Sequence, residues 1–179
     1  MNFRWLIVAI AVIIFTGCAA TVERDSEDQG IINIPKSASG KLVLNISCAK
    51  ETINADDWQG FKQEWKEYFA EQAALANVAF EMQEGPSKPT GENGVLLSVF
   101  IKDYRFIRPG TRYAVGIMAG NAFIESTLTF SDLKTGESFG SRSANTSSSA
   151  AQGIFSPMTN KQVEAIAIDV FKEVTSAKD

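Results

Sequence analysis

The sequence predicts an α+β domain: a mixed, mainly antiparallel sheet of four to five strands packed with two helices, in the order β-α-β-β-β-β-α, behind a cleaved export signal. Three observations predict it. Apolar residues recur at helical spacing in two mature stretches, 55–77 and 159–175. Around and between them, short runs alternate apolar and polar residues at period two. Glycine, proline and Asn-Gly clusters punctuate these runs. A chain of 179 residues, less a leader, is long enough for one domain with a proper core.

The leader comes first. Arg4 opens a short basic region, and Leu6 to Phe15 is uninterruptedly apolar before Thr16-Gly17-Cys18. This is the anatomy of a secretory signal. As a helix the run covers about 15 Å at ~1.5 Å per residue, too short for a permanent span. Phe15-Thr16-Gly17-Cys18 resembles the lipobox of bacterial lipoproteins, with Phe15 in place of the favoured Leu. The resemblance implies signal-peptidase recognition through Phe15, Thr16 and Gly17, cleavage before Cys18, and acylation of Cys18. It divides the chain into a signal peptide over 1–17, a lipidated N-terminus and flexible linker over 18–40, and a single α+β domain over 41–179. The expected partner is therefore the membrane, reached through N-terminal acyl chains. Ala19, where an Asp would imply inner-membrane retention, points to the outer membrane facing the periplasm.

The elements follow in order. Within the linker, Ile31, Ile32 and Ile34 can pair briefly at a sheet edge. In 41–48 the even positions Leu42, Leu44, Ile46 and Cys48 form one apolar strand face. Helix 55–77 takes Asp56 as its N-cap, and Trp58, Phe61, Trp65 and Phe69 make an aromatic stripe. That stripe reads as the face packed on the sheet; its functional reading is a groove for an apolar ligand or a partner helix. Residues 78–83 form a strand that a right-handed crossover sets parallel to the first. Residues 84–94, with Gly85-Pro86, Pro89 and Asn93-Gly94, are a loop. Residues 95–107 are the longest strand, apolar on both faces at its start and hence central. In 121–131, Ala122, Ile124, Ser126, Leu128 and Phe130 face the core. Asp132 to Gly136 turns the chain into an edge strand over 137–144, followed by a flexible loop over 145–156. In the last helix Thr159 is the N-cap, Gln162 completes a capping box, and Val163, Ile166, Val170 and Val174 line the buried side.

Composition closes several functional classes. The chain has no histidine, which removes serine and cysteine triads, histidine-ligated metals and the usual neutral-pH base. No metal site and no cofactor are expected. The net charge of −4 becomes one unit more negative when the leader, with Arg4 as its single charged side chain, is removed. A mildly acidic chain without a basic block argues against nucleic acid. Asp56, Asp57, Asp103, Glu125 and Asp132 are the available carboxylates, and no spacing places a pair in one cleft. No catalytic residue is assigned. Cys48 reads as a small buried hydrophobe at a strand end.

The unusual mature stretch is 108–122, apolar and glycine-rich between two strands. It reads as a wide hairpin connection. Its functional reading is an exposed tip where Tyr113, Val115, Gly116, Ile117, Met118 and Gly120 contact a partner or a lipid. Arg112, Gly116 and Gly120, the alternating run Ile124 to Phe130, and then Asp132, Thr135 and Gly136 resemble the domain-of-unknown-function family numbered 4410, which joins a lipobox to an α+β domain. A more distant likeness is to curli-type secretion-pore lipoproteins. Neither resemblance supplies a reaction. The expectation is a membrane-anchored, non-enzymatic envelope lipoprotein with a protein-binding or assembly role. The alternative is a periplasmic carrier for an apolar ligand such as a lipid.

Overall fold

The computed structural model describes residues 22–23, 32–49, 56–105, 122–147 and 158–176. They form the α+β architecture that the sequence predicts. In chain order the elements are β1 (Val22–Glu23), a 3₁₀ turn (Lys36–Ala38), β2 (Lys41–Cys48), α1 (Trp58–Ala76), β3 (Ala79–Gln83), β4 (Val95–Arg105), β5 (Phe123–Asp132), β6 (Ser138–Ser147) and α2 (Met158–Thr175). The strands make one six-stranded sheet in the order β1-β6-β5-β4-β2-β3. β2 runs parallel to both β3 and β4, and the other pairs are antiparallel. The parallel β2–β3 pair matches the crossover expected of a strand–helix–strand unit.

Both helices lie on one face of the sheet and pack on each other, with the rings of Phe69 and Phe171 6.1 Å apart. The main core lies between the layers. Leu42, Leu44, Ile46 and Cys48 enter it from β2, with Leu97, Val99 and Ile101 from β4 and Ile124, Leu128 and Phe130 from β5. The aromatic stripe of α1 is part of this core: Phe61, Trp65 and Phe69 have no exposed surface. It packs on the sheet and offers no groove. β4 is buried on both faces where it begins, through Val95, Leu96 and Leu97, as its central position requires.

Several local expectations are corrected. Helix α1 starts at Trp58, and its N-cap is Asp57, not Asp56; the Asp57 side chain makes no capping bond. Its carboxylate instead accepts a hydrogen bond from the Tyr104 hydroxyl at 2.7 Å. The helix ends where Asn77 turns left-handed, at φ 54°. Thr159 lies inside the first turn of α2, which already begins at Met158. Gln162 does not close a capping box: fully buried, it donates from Nε2 to the Ala122 carbonyl at 3.0 Å and pins α2 to the start of β5. β6 runs on to Ser147, so residues 145–147 are strand rather than loop.

Within the segment read as a linker, Val22–Glu23 pair with β6, and Ile34 and Ala38 are buried in the core. Loop 84–94 is anchored. The Thr90 amide donates to the Leu133 carbonyl and the Leu133 amide to the Gly94 carbonyl, each at 2.9 Å. The Ser87 and Ser98 hydroxyls share a bond of 2.7 Å. The loop thus covers one end of the sheet face away from the helices, where Val43, Leu96 and Leu133 form a small second core.

Candidate interaction surface

Strand periodicity sets up the surface. Residues that alternate with the core positions point away from the helices. On β2 they are Val43, Asn45 and Ser47; on β4 Leu96, Ser98 and Phe100; on β5 Thr127, Thr129 and Ser131. Loop 84–94 shields the Val43 and Leu96 end. Asn45 is buried there because its amide donates to the Gln83 and Gly85 carbonyls, at 3.0 and 2.9 Å. Beyond the loop no helix covers the sheet among the described residues. Phe100 stands there 45% exposed, with Ser47 opposite it on β2 and Thr127 on β5. An exposed phenyl ring on a central strand, ringed by short hydroxyl side chains, is a flat and partly apolar patch.

One other large apolar side chain is exposed among the described residues: Leu75, near the end of α1, 75% exposed. It belongs to the helix layer, on the other side of the molecule from Phe100. Helix α1 leads directly into β3, the terminal strand of the sheet. The two patches are therefore separate.

Among the described residues, Asp57, Asp103, Glu125 and Asp132 are not all brought into one cleft. Asp57 is held by Tyr104, and the Asp132 Oδ1 accepts from the Lys134 amide at 2.8 Å inside the β5–β6 turn. Asp103 and Glu125 are register partners across β4 and β5, a juxtaposition invisible in sequence spacing, but both are exposed. Among the described residues no group of acidic or cysteine side chains could hold a metal. Cys48 is a buried free thiol, and burial raises its pKa. Lys41 bridges Glu81 and Glu92 at 2.9 and 2.5 Å, and hydrogen bonding to these carboxylates raises its pKa.

Cys18 with Phe15, Thr16 and Gly17, and the glycine segment with Tyr113, Val115, Gly116, Ile117, Met118 and Gly120, lie outside the described residues. The chain joins β4 to its antiparallel neighbour β5 through that glycine segment. Among the described residues no helix is long and apolar enough to cross a membrane. In the sequence Phe100 alternates with the apolar Leu97, Val99 and Ile101, in phase with Ser98 and Lys102. Its signal was a large aromatic at an outward position between serine and lysine.

No family model and no curated protein matches the chain. Solved structures do. The PelC dodecamer from Paraburkholderia phytofirmans is similar over 89% of this chain and 99% of its own, with a TM-score of 0.51 and 15% identity. A substituted form of the same dodecamer matches over 83% and 96%, with a TM-score of 0.50 and 12% identity. A Xanthomonas campestris protein of the DUF330 family covers 79% of this chain and 87% of its own, at a TM-score of 0.43 and 11% identity. At such identities the PelC likeness establishes a shared fold.

Proposed function

We propose that the protein is a lipid-anchored, non-enzymatic lipoprotein of the bacterial envelope, held at the periplasmic face of the outer membrane, whose domain assembles with further copies of itself. The observation that carries the reading is Phe100, exposed on the helix-free face of a central strand. A ring of subunits needs a heterologous contact, in which two different patches meet. Phe100 on the sheet side and Leu75 on the helix side supply two such patches. The shared fold with PelC, solved as a dodecamer, supports such a role. Burial of the aromatic stripe on α1 removes the surface on which a lipid-carrier role was founded.

The test is the mass of the full-length protein in mild detergent, by light scattering after size exclusion. We expect an oligomer that Phe100→Glu and Leu75→Glu each reduce to monomer, with the melting temperature within a few degrees of wild type, since both side chains are exposed. A monomer at every concentration tested would end the self-assembly reading. The anchor is tested separately. Cys18→Ser should abolish labelling by radioactive palmitate and move the protein out of the membrane fraction.

A further inference from the structure

The chain treats the two edges of its sheet differently. At one, Val22–Glu23 pair with β6 and Ile32 lies beside Gly140, so parts of the N-terminal segment cover it. At the other, β3 is the terminal strand, and among the described residues no strand pairs with its outer side. The Ala79 amide donates to the Gly40 carbonyl at 3.0 Å, toward β2. Backbone groups alternate in direction along a strand, so those of Phe80 and Met82 face outward. An unpaired row of this kind is a template for another strand.

The side chains of β3 do little to protect this edge. Phe80 and Met82 pack against the main core but are only partly buried. A further strand would cover what they leave exposed. Glu81 is the one charge on β3, and charge on an edge strand normally deters pairing. Here its carboxylate is bound by Lys41 of β2 at 2.9 Å. The deterrent is thus neutralised from within the sheet.

We infer that β3 pairs antiparallel with β3 of a second copy, about a two-fold axis at Phe80. The inference rests on the self-assembly reading and adds a second kind of contact to it. The residues select the register. Pairing centred on Glu81 sets two carboxylates directly opposite each other, which is destabilising. Centred on Phe80, each Glu81 lies opposite Ala79 of the other copy, and each Met82 opposite Val78. Ala79 is itself the register partner of Lys41. The second copy's Glu81 therefore arrives two strands from Lys41, about 10 Å between backbones, with only a methyl group in the way. The two long side chains close that distance, and the three donors of the ammonium serve carboxylates of both copies. Such an isologous contact, added to a ring of heterologous ones, joins two rings back to back. One five-residue strand pair is small beside the ~1,000 Å² of a stable interface. It fails between isolated subunits and holds where a ring presents many edges together.

The experiment uses the full-length protein in mild detergent. In this register positions 79 and 81 of opposite copies form a non-hydrogen-bonded pair, ~4.5 Å between Cα atoms and within disulfide range. Ala79→Cys combined with Glu81→Cys should therefore give a covalent dimer on oxidation, seen in a non-reducing gel, while each single variant stays monomeric there. A dimer from Glu81→Cys alone centres the pairing on Glu81 and overturns the inference. Charge supplies the second readout. Ala79→Glu sets a carboxylate opposite Glu81 of the other copy and should halve the mass found by light scattering; adding Glu81→Lys should restore it. Both positions are exposed, so the melting temperature should stay within a few degrees of wild type. Should the double-cysteine variant fail to fold by circular dichroism, the mass of Ala79→Glu decides. An oligomer whose mass ignores Ala79→Glu, with no covalent dimer from the double-cysteine variant, overturns the inference and leaves self-assembly through Phe100 standing. A wild-type protein that is monomeric at every concentration overturns both.

Discussion

Tyr104 joins the end of β4 to the start of α1 by two interactions of different kinds. Its ring stacks on Phe61 with centroids 4.3 Å apart and planes 12° from parallel, and it also meets Trp58 at 6.0 Å. Its hydroxyl donates to Asp57 at the first turn of the helix. A hydrogen bond to a carboxylate contributes about 1.5–3 kcal/mol where burial excludes water, and less where, as here, the pair is only partly buried. We therefore expect Tyr104→Phe to cost about 1–2 kcal/mol in urea denaturation near neutral pH. The phenol also gives this contact a pH signature. Burial first, and then the Asp57 bond, raise its pKa above the ordinary value of 10. A group with a raised folded pKa contributes its full stability below the unfolded pKa and loses it as pH climbs above that value. The stability gap between wild type and Tyr104→Phe should accordingly hold from pH 7 to 9 and shrink between pH 10 and 11.5. A gap that stays constant or widens over that range would show that the buried phenol is not what stabilises this end of the sheet.

At the scale of elements, the same residue exposes what periodicity conveys and what it hides. Leu97, Val99 and Ile101 face the helices at odd positions, yet Tyr104 also faces them. A bulge reconciles the two: Ile101 pairs with Ser126 and Asp103 with Glu125, leaving Lys102 as the extra residue. The sequence does hold a signal for this, since the apolar phase switches from odd to even between Ile101 and Tyr104, but simple alternation passes over it. The alternating runs, the aromatic stripe and the turn at Gly136 were legible because each is dictated locally. Gly136 takes φ 82° there, and its amide donates to the Asp132 carbonyl at 2.7 Å. The partners of Asp57 and Gln162 were illegible because both side chains abandon local capping for contacts 47 and 40 residues away. The bulge makes a sharp prediction about deletions. Removing Lys102 leaves an unbroken ladder with Tyr104 still facing Phe61, so the domain should fold and melt close to wild type. Removing Ser98 turns either Val99 and Ile101 or Val95 and Leu97 out of the core. Losing such side chains costs about 2–5 kcal/mol each against a total stability of roughly 5–15, so this variant should fail to fold. Thermal melts of the two variants distinguish the cases; equal damage would mean the extra residue is not at Lys102.

For the whole molecule, the point where the folded domain begins is a question of burial rather than composition. Charged residues, Pro35, Ser37 and Ser39 give residues 18–40 the look of a tether. The fold uses part of that stretch as structure. Ile34 is 2% exposed and Ala38 4%, both within the main core, and Ile32 packs against the same core and beside Gly140 of β6. Composition obscures this because three apolar residues among polar ones have no period, and their burial depends on sheet edges formed far along the chain. The consequence is measurable. A chain starting at residue 31 should keep Ile34 and Ala38 in place, whereas one starting at Lys41 loses both and uncovers the apolar side chains beneath them. Removing a buried isoleucine side chain alone costs about 2–5 kcal/mol. For a domain of this size each kcal/mol shifts the melting temperature by roughly 3–5 °C, so the shorter chain should melt roughly 10 °C or more below the longer one. Both forms lack Cys18 and can be compared in solution without detergent. Equal melting temperatures would return residues 32–40 to the tether; the expected difference makes them part of the domain.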